Sequence, residues 1–198
     1  MNWLPDNYEA PNNNIYFKVK NGDSKIRILG DFRHPHTAIM GYMGWRHYPD
    51  GTKSPVCGDM DSREEVKLAI KAEEEKTPKH FWALTIWDYT DQAVKCWRIT
   101  QSTIQQALTE LANNEAWGDP RKYNITITRK GDLFKTTYSL IAEPPLGEPP
   151  AEAIEAAKAA KIDLRELFIG ESPFGVDKGS DEKPPVFIDQ MPAGSPGL

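Results

Sequence analysis

One amphipathic helix stands inside a chain that otherwise reads as strands, and its position limits the folds open to the sequence. Residues 101–113 place Ile104, Ala107, Leu108 and Leu111 on one helical face at i, i+3, i+4 and i+7. Thr100 is positioned to cap this helix, Asn113-Asn114 to end it, and Trp117-Gly118-Asp119-Pro120 to turn the chain. The flanking runs are rich in β-branched and aromatic residues: IYFKVK (15–20), SKIRILG (24–30), TAIMGYMGWRHY (37–48), HFWALTIWDY (80–89), AVKCWRIT (93–100), YNITITRK (123–130) and LFKTTYSLIA (133–142). Turn signals at Asn21-Gly22-Asp23, Thr90-Asp91-Gln92 and Gly131-Asp132 predict three hairpins. Gly41 and Gly44 predict a bulge or sharp bend.

A parallel α/β fold would need more helices, and a β-sandwich would lack the lone one. An OB fold, an antiparallel β-barrel with its helix before the last two strands, matches the order. The expected class is therefore mainly β, an OB-fold barrel with a helical insertion and a helical, then disordered, C-terminal arm. Residues 1–14 read as a flexible polar arm and 15–145 as the OB domain. Within that domain, 49–79 reads as a surface insertion: PDGTKSP is a loop, and Ser62-Arg63-Glu64-Glu65 is a capping box opening a charged helix to about Glu75. Residues 146–170 form a Pro-rich spacer with short helices, and 171–198 an acidic tail rich in Pro, Gly and Asp.

The net charge of −5 is unevenly placed. Residues 1–145 hold 19 Lys and Arg against 19 Asp and Glu, whereas 146–198 hold 5 against 10. A neutral body can still present a basic face, because local distribution sets the field. No apolar run approaches the ~18–20 residues of a membrane span, and MNWLPDNYEAPNNN lacks the features of a secretory signal. A cytoplasmic protein is expected, and in that setting Cys57 and Cys96 are expected to be free thiols.

Aromatic and basic residues interleave along the strands. Strand alternation sets Phe81, Ala83, Thr85, Trp87 and Tyr89 against Trp82, Leu84 and Ile86. The second set is more uniformly apolar and is assigned to the core, together with Trp97. That leaves Phe81, Trp87 and Tyr89 on the ligand-accessible side. Lys79, Lys95 and Arg98 stand nearby, and Trp45, Arg46 and Tyr48 repeat the mixture, as do Lys25 and Arg27. Aromatic faces stack on bases of any sequence, and cations neutralise phosphates. Most tryptophans in a small barrel are core, however, so the signal is collective.

Other chemistries find less support. His34, His36, His47 and Cys57 lack the paired spacing of a structural zinc site. Asp59 and Asp61 form a D-x-D pair of the kind that holds Mg²⁺ in a nuclease, but acids before a helix are favourable without chemistry. No nucleophile-elbow, zincin or phosphate-loop motif occurs. No enzyme activity, cofactor or metal is expected.

The order W-x-I-T-Q, amphipathic helix, W-G-D-P, Y-x-I-x-I-x-R, T-x-Y within residues 93–145, preceded by SKIRILGDF, MGWRHY and KHFWALTIWDY, resembles the single-stranded-DNA-binding proteins of tailed bacteriophages. The resemblance covers roughly residues 15–145. It implies an OB fold, a role in phage replication and recombination inside the infected host cell, and DNA contacts by Arg27, Trp45, Lys79, Phe81 and Arg129. Relatives with a cysteine-rich zinc insertion differ here, since only Cys57 lies in 49–79. Phage or host replication proteins are expected as partners through the tail, which carries Asp177, Asp181, Glu182 and Asp189, although it ends AGSPGL where many such proteins end in a strongly acidic tip. An OB-like protein-interaction module is the alternative, and a Mg²⁺ nuclease the third reading.

Overall fold

Seven strands and four helices carry the chain in the computed structural model, which describes residues 15–70, 77–132 and 135–174. In order they are β1 (Gly22–Ile28), β2 (Ala38–His47), β3 (Lys53–Gly58), α1 (Arg63–Ala69), β4 (Lys79–Asp88), β5 (Ala93–Ile99), α2 (Ser102–Asn113), β6 (Asn124–Lys130), β7 (Thr137–Ala142), α3 (Ala151–Ala159) and α4 (Glu166–Ile169). The expected arm 1–14 and tail residues 175–198 lie outside the described residues.

All strand pairs are antiparallel, in the order β3-β2-β4-β1-β6-β7, with β5 on the other edge of β4. Among the described residues β5 pairs only with β4, and neither β3 nor β7 pairs with it or with each other, so the sheet stays open and the expected closed barrel is not formed. The mainly β class and the helix before the last two strands are present.

The strand β4 explains the branching. Its residues 82–88 pair with β5, while its opposite edge pairs first with β2 (Ala38↔Leu84) and then with β1 (Ile28↔Ile86). Thus β1 and β2 are two parts of one edge, separated by an excursion of residues 31–36. Thr85 pins both ends: its carbonyl accepts from the Leu29 and Gly30 N–H groups, and its N–H donates to the Thr37 carbonyl at 2.9 Å. Gly30 is required there, because a side chain would run into the Thr37 carbonyl oxygen. Asp31 then holds the excursion, accepting from Arg33 and from Arg121.

Four sequence expectations are corrected. Residues 15–20 form no strand; only Tyr16 bridges Cys96, in parallel. The PDGTKSP segment is not all loop, since β3 begins at Lys53 and pairs with β2 from Tyr42↔Gly58 to His47↔Lys53. The capping box is not formed: the Ser62 hydroxyl donates to Asp59 at 2.7 Å, and α1 ends at Ala69. Residues 71–76, the predicted remainder of that helix, lie outside the described residues. Thr100 does not cap α2, whose N-cap position is Gln101.

Apolar clusters lie on both faces. Ile26, Ile28, Leu84, Ile86, Trp97, Ile99, Ile125 and Ile127 pack under Ile104 and Leu108 of α2. The same face continues under α1, where Val56 meets Val66, Ala69 and Ile70. On the reverse face, Ile39, Met43, Cys57, Phe81, Ala83 and Cys96 pack against Leu164, Leu167 and Phe174 from the C-terminal segment. Residues 151–174 are therefore part of the core, and Phe174 belongs to it although the disordered tail was expected to begin at 171.

Candidate nucleic-acid interface

Strand register decides which expected contact residues share a face. Lys25↔Thr126, Arg27↔Trp87, Ala83↔Arg98, Ile39↔Ala83 and Met43↔Lys79 place Lys25, Arg27, Lys79, Phe81, Trp87 and Arg98 on the reverse face, away from α2. Trp45, two residues beyond Met43, joins them. Lys95 pairs with Ile86 and Arg129 with Tyr138, so both point to the α2 side, as does Arg46.

Burial divides the set more sharply. Phe81 is 0% exposed and Trp87 5%, so the side of β4 expected to be ligand-accessible is covered. For Phe81 the reason is the C-terminal segment: its ring meets Phe168 edge-on at 6.4 Å between ring centroids. Arg27 is 1% exposed. Its guanidinium donates to Asn124 Oδ1 at 3.3 Å and to the Gly147 carbonyl, tying the spacer to the sheet. Burial pulls its pKa down, and the neighbouring Glu148 carboxylate works against that shift.

Lys95 is buried as well, bonded to Asp88 at 3.0 Å and to Asp91. Burial alone would lower the ammonium's pKa, but hydrogen bonds to Asp91 and Asp88 outweigh it and raise it. Arg46 donates to the Ala69 carbonyl at 2.6 Å, closing the end of α1. Arg129 is half-buried and reaches the Val19 carbonyl at 3.5 Å. Burial and backbone bonds thus give these cations structural positions that sequence alternation does not reveal.

The remaining residues stay accessible. Lys79 is exposed, and Lys25, Trp45, Tyr48, Tyr89 and Arg98 are half-buried. Four of them take part in three cation–aromatic pairs on the reverse face: the Lys25 ammonium lies 5.3 Å from the Tyr89 ring centroid, Lys53 lies 5.0 Å from Trp45, and the Arg98 guanidinium lies 4.3 Å from Tyr16. Lys25 also meets Glu143 at 2.6 Å, and Tyr89 donates to Asn124 at 2.8 Å. Tyr16 and Lys53 escaped the sequence reading. Recognising Lys53 requires β3, and two prolines, Pro49 and Pro55, mask that strand. The Tyr48 hydroxyl meets Ser54 at 3.0 Å across the same hairpin.

The acidic pair has a structural use. Asp59 Oδ1 accepts from the N–H groups of Asp61 and Ser62 and from the Ser62 hydroxyl, the pattern of an Asx turn leading into α1. Among the described residues, no three His, Cys, Asp or Glu side chains are grouped to hold a metal ion. Cys57 and Cys96 are free and buried, and desolvation pushes their thiols up to about 11 and about 12. Among the described residues no helix is long and apolar enough to cross a membrane. No family model, curated protein or solved structure matches this chain.

Proposed function

We propose that the protein binds single-stranded DNA without sequence preference and protects it during phage DNA replication and recombination. The observation that carries this reading is the set of three cation–aromatic pairs on one sheet face, Lys25/Tyr89, Lys53/Trp45 and Arg98/Tyr16. Each offers a ring for a base and a cation for the adjoining phosphate, the two elements of sequence-independent single-strand binding. The phage setting rests on the sequence resemblance, and the OB-like reading of the fold on that resemblance together with the order of strands and helix. Because residues 151–174 cover Phe81, and Trp87 is buried as well, stacking falls to the rings at the margins of that cover.

Titration of the full chain with oligo-dT, followed by tryptophan fluorescence, tests the proposal. Quenching at low salt that weakens steeply as salt rises is expected, since phosphate neutralisation releases counterions. No quenching and no mobility shift at low salt would refute it.

A protein-interaction module is the second reading, favoured by exposed apolar side chains. Leu68 is 73% exposed, Leu146 64% and Ile141 62%. Equal affinity for duplex and single strands, or none for any DNA, would support this reading over the first.

A further inference from the structure

A cavity of about 690 Å³ lies between α3, the β1–β2 junction, the turn at 119–122 and the spacer at 147–149. That volume falls within the usual range of small-molecule sites. Three features give it a definite chemistry.

Thr85 lines the cavity from the sheet. It is 2% exposed, and its hydroxyl has no hydrogen-bond partner although its backbone N–H and carbonyl are both satisfied. A buried hydroxyl without a partner is uncommon, and here it belongs to a residue of the cavity wall.

The cations at the rim are unbalanced. Lys122, Lys158 and Lys161 line the cavity, and no salt bridge engages any of them among the described residues. The fourth cation, Arg121, is held by Asp119 and Asp31. Of the acids, Asp119 is thereby neutralised and Glu148 stands near Arg27. Lys122 also acts on Asp119, but the three ammonium groups at the rim still outnumber the one carboxylate, Glu148, that no salt bridge engages there among the described residues, which favours a multiply charged anion such as a phosphate ester over a single carboxylate.

Beside the polar His36 and Thr37, an apolar part of the wall is made by Leu29 from the sheet side and Ile154, Ala157 and Ile162 from the helical segment. An inorganic ion would leave this wall in contact with water, whereas a flat or apolar body would cover it.

We propose that the cavity binds a small organic phosphate, a monoester carrying a flat body as in a mononucleotide. Lys122, Lys158 and Lys161 hold the phosphate, and the Thr85 hydroxyl hydrogen-bonds the body. The site stands apart from the three cation–aromatic pairs and does not depend on the DNA-binding reading.

Calorimetric titration of the full chain with dTMP, thymidine and inorganic phosphate tests this. Saturable one-site binding of dTMP is expected, with thymidine and phosphate each weaker by about tenfold or more, because each supplies only half of the complementary surface. Reversing two rim charges, Lys158→Glu with Lys161→Glu, should weaken dTMP by about tenfold or more while oligo-dT binding persists. Thr85→Val should weaken dTMP and leave the melting temperature of the free protein unchanged or higher, since it removes an unpaired hydroxyl. A structural Thr85 would instead lower that temperature and leave dTMP affinity alone. This result, or the absence of saturable dTMP binding, overturns the proposal. Competition by dT12 with and without a 5′-phosphate separates the sources: displacement of dTMP only by the phosphorylated strand assigns the site to a strand end, and displacement by neither assigns it to a free nucleotide. Binding of dTMP without oligo-dT would refute the DNA reading alone.

Discussion

The reverse face of the sheet has two unlike halves. Over β2, β3, β4 and β5 it is apolar and sealed by residues 151–174, with Phe81, Ala83, Cys57 and Cys96 beneath Leu164, Leu167 and Phe174. Over β6 and β7 it is polar and uncovered: Thr126 and Thr128 are half-buried, Thr137 and Ser139 exposed, and Ile141 is 62% exposed. The same pleat and the same alternation run through both. What differs is the composition of the outward positions, and that composition decides whether a strand face recruits a cover. An arm set off by prolines in the sequence is therefore a structural layer on one half and absent from the other.

Four experiments break or sharpen this contrast. Truncation after Pro150 should have the largest effect, destabilising the chain by on the order of 5 kcal/mol, because Leu164, Leu167 and Phe174 each bury a large side chain on the sealed half. Urea unfolding with and without the segment measures it, and an unchanged midpoint would make 151–174 a mere appendage. Next, Phe81→Ala should cost about 3–5 kcal/mol by the same assay, since the ring is fully buried on the sealed half. Trp45→Ala, at the margin between cover and solvent, should lose about 1–3 kcal/mol of oligo-dT binding by fluorescence-independent mobility shift. Smallest of all, Ile141→Ser on the open half should change stability by no more than about 0.5 kcal/mol.

Acid should act on both halves. Hydrogen bonds from Lys25 and Asn124 hold the Glu143 carboxyl below its ordinary range, and Arg165 does the same for Asp163 beside α4. Folded pKa values below the unfolded ones mean that this stabilisation is present above the unfolded carboxylate range, near pH 4, and is lost as pH falls through the lower folded values. Unfolding midpoints at neutral and acidic pH, compared with those of Glu143→Gln, give the open half's share.

Much of the architecture was legible because periodicity carries it. β2, β4, β5, β6, β7 and α2 all follow the runs that residue alternation or 3.6-residue spacing marks out. β3 was not legible, since Pro49, Gly51 and Pro55 speak against a strand and only pairing with β2 makes one. Residues 15–20 alternate well, yet a strand needs a partner edge, and only Tyr16 finds one. At the candidate site, alternation groups Phe81, Trp87 and Tyr89 on one face of β4, but it carries no information about what covers them and does not separate Lys95 from Arg98, which lie on opposite faces. The cover comes from residues about eighty positions later, whose helix signals gave no sign of where they dock. Lys95 and Arg27 were read as phosphate ligands because sequence cannot reveal that Asp88, Asp91 and the Gly147 carbonyl already claim them.

The two thiols sealed beneath the C-terminal segment give the protein a built-in clock. Cys57 and Cys96 are buried in the same apolar cluster as Leu164 and Leu167, and desolvation keeps both protonated at neutral pH. Their burial predicts slow alkylation in the folded protein and faster alkylation of Cys57 once residues 151–174 are removed. A ligand that holds the cover shut slows that clock, and one that must displace the cover quickens it. Chemistry at two side chains that take no part in recognition can thus report, in time units, on the layer that stands between the sheet and whatever it binds.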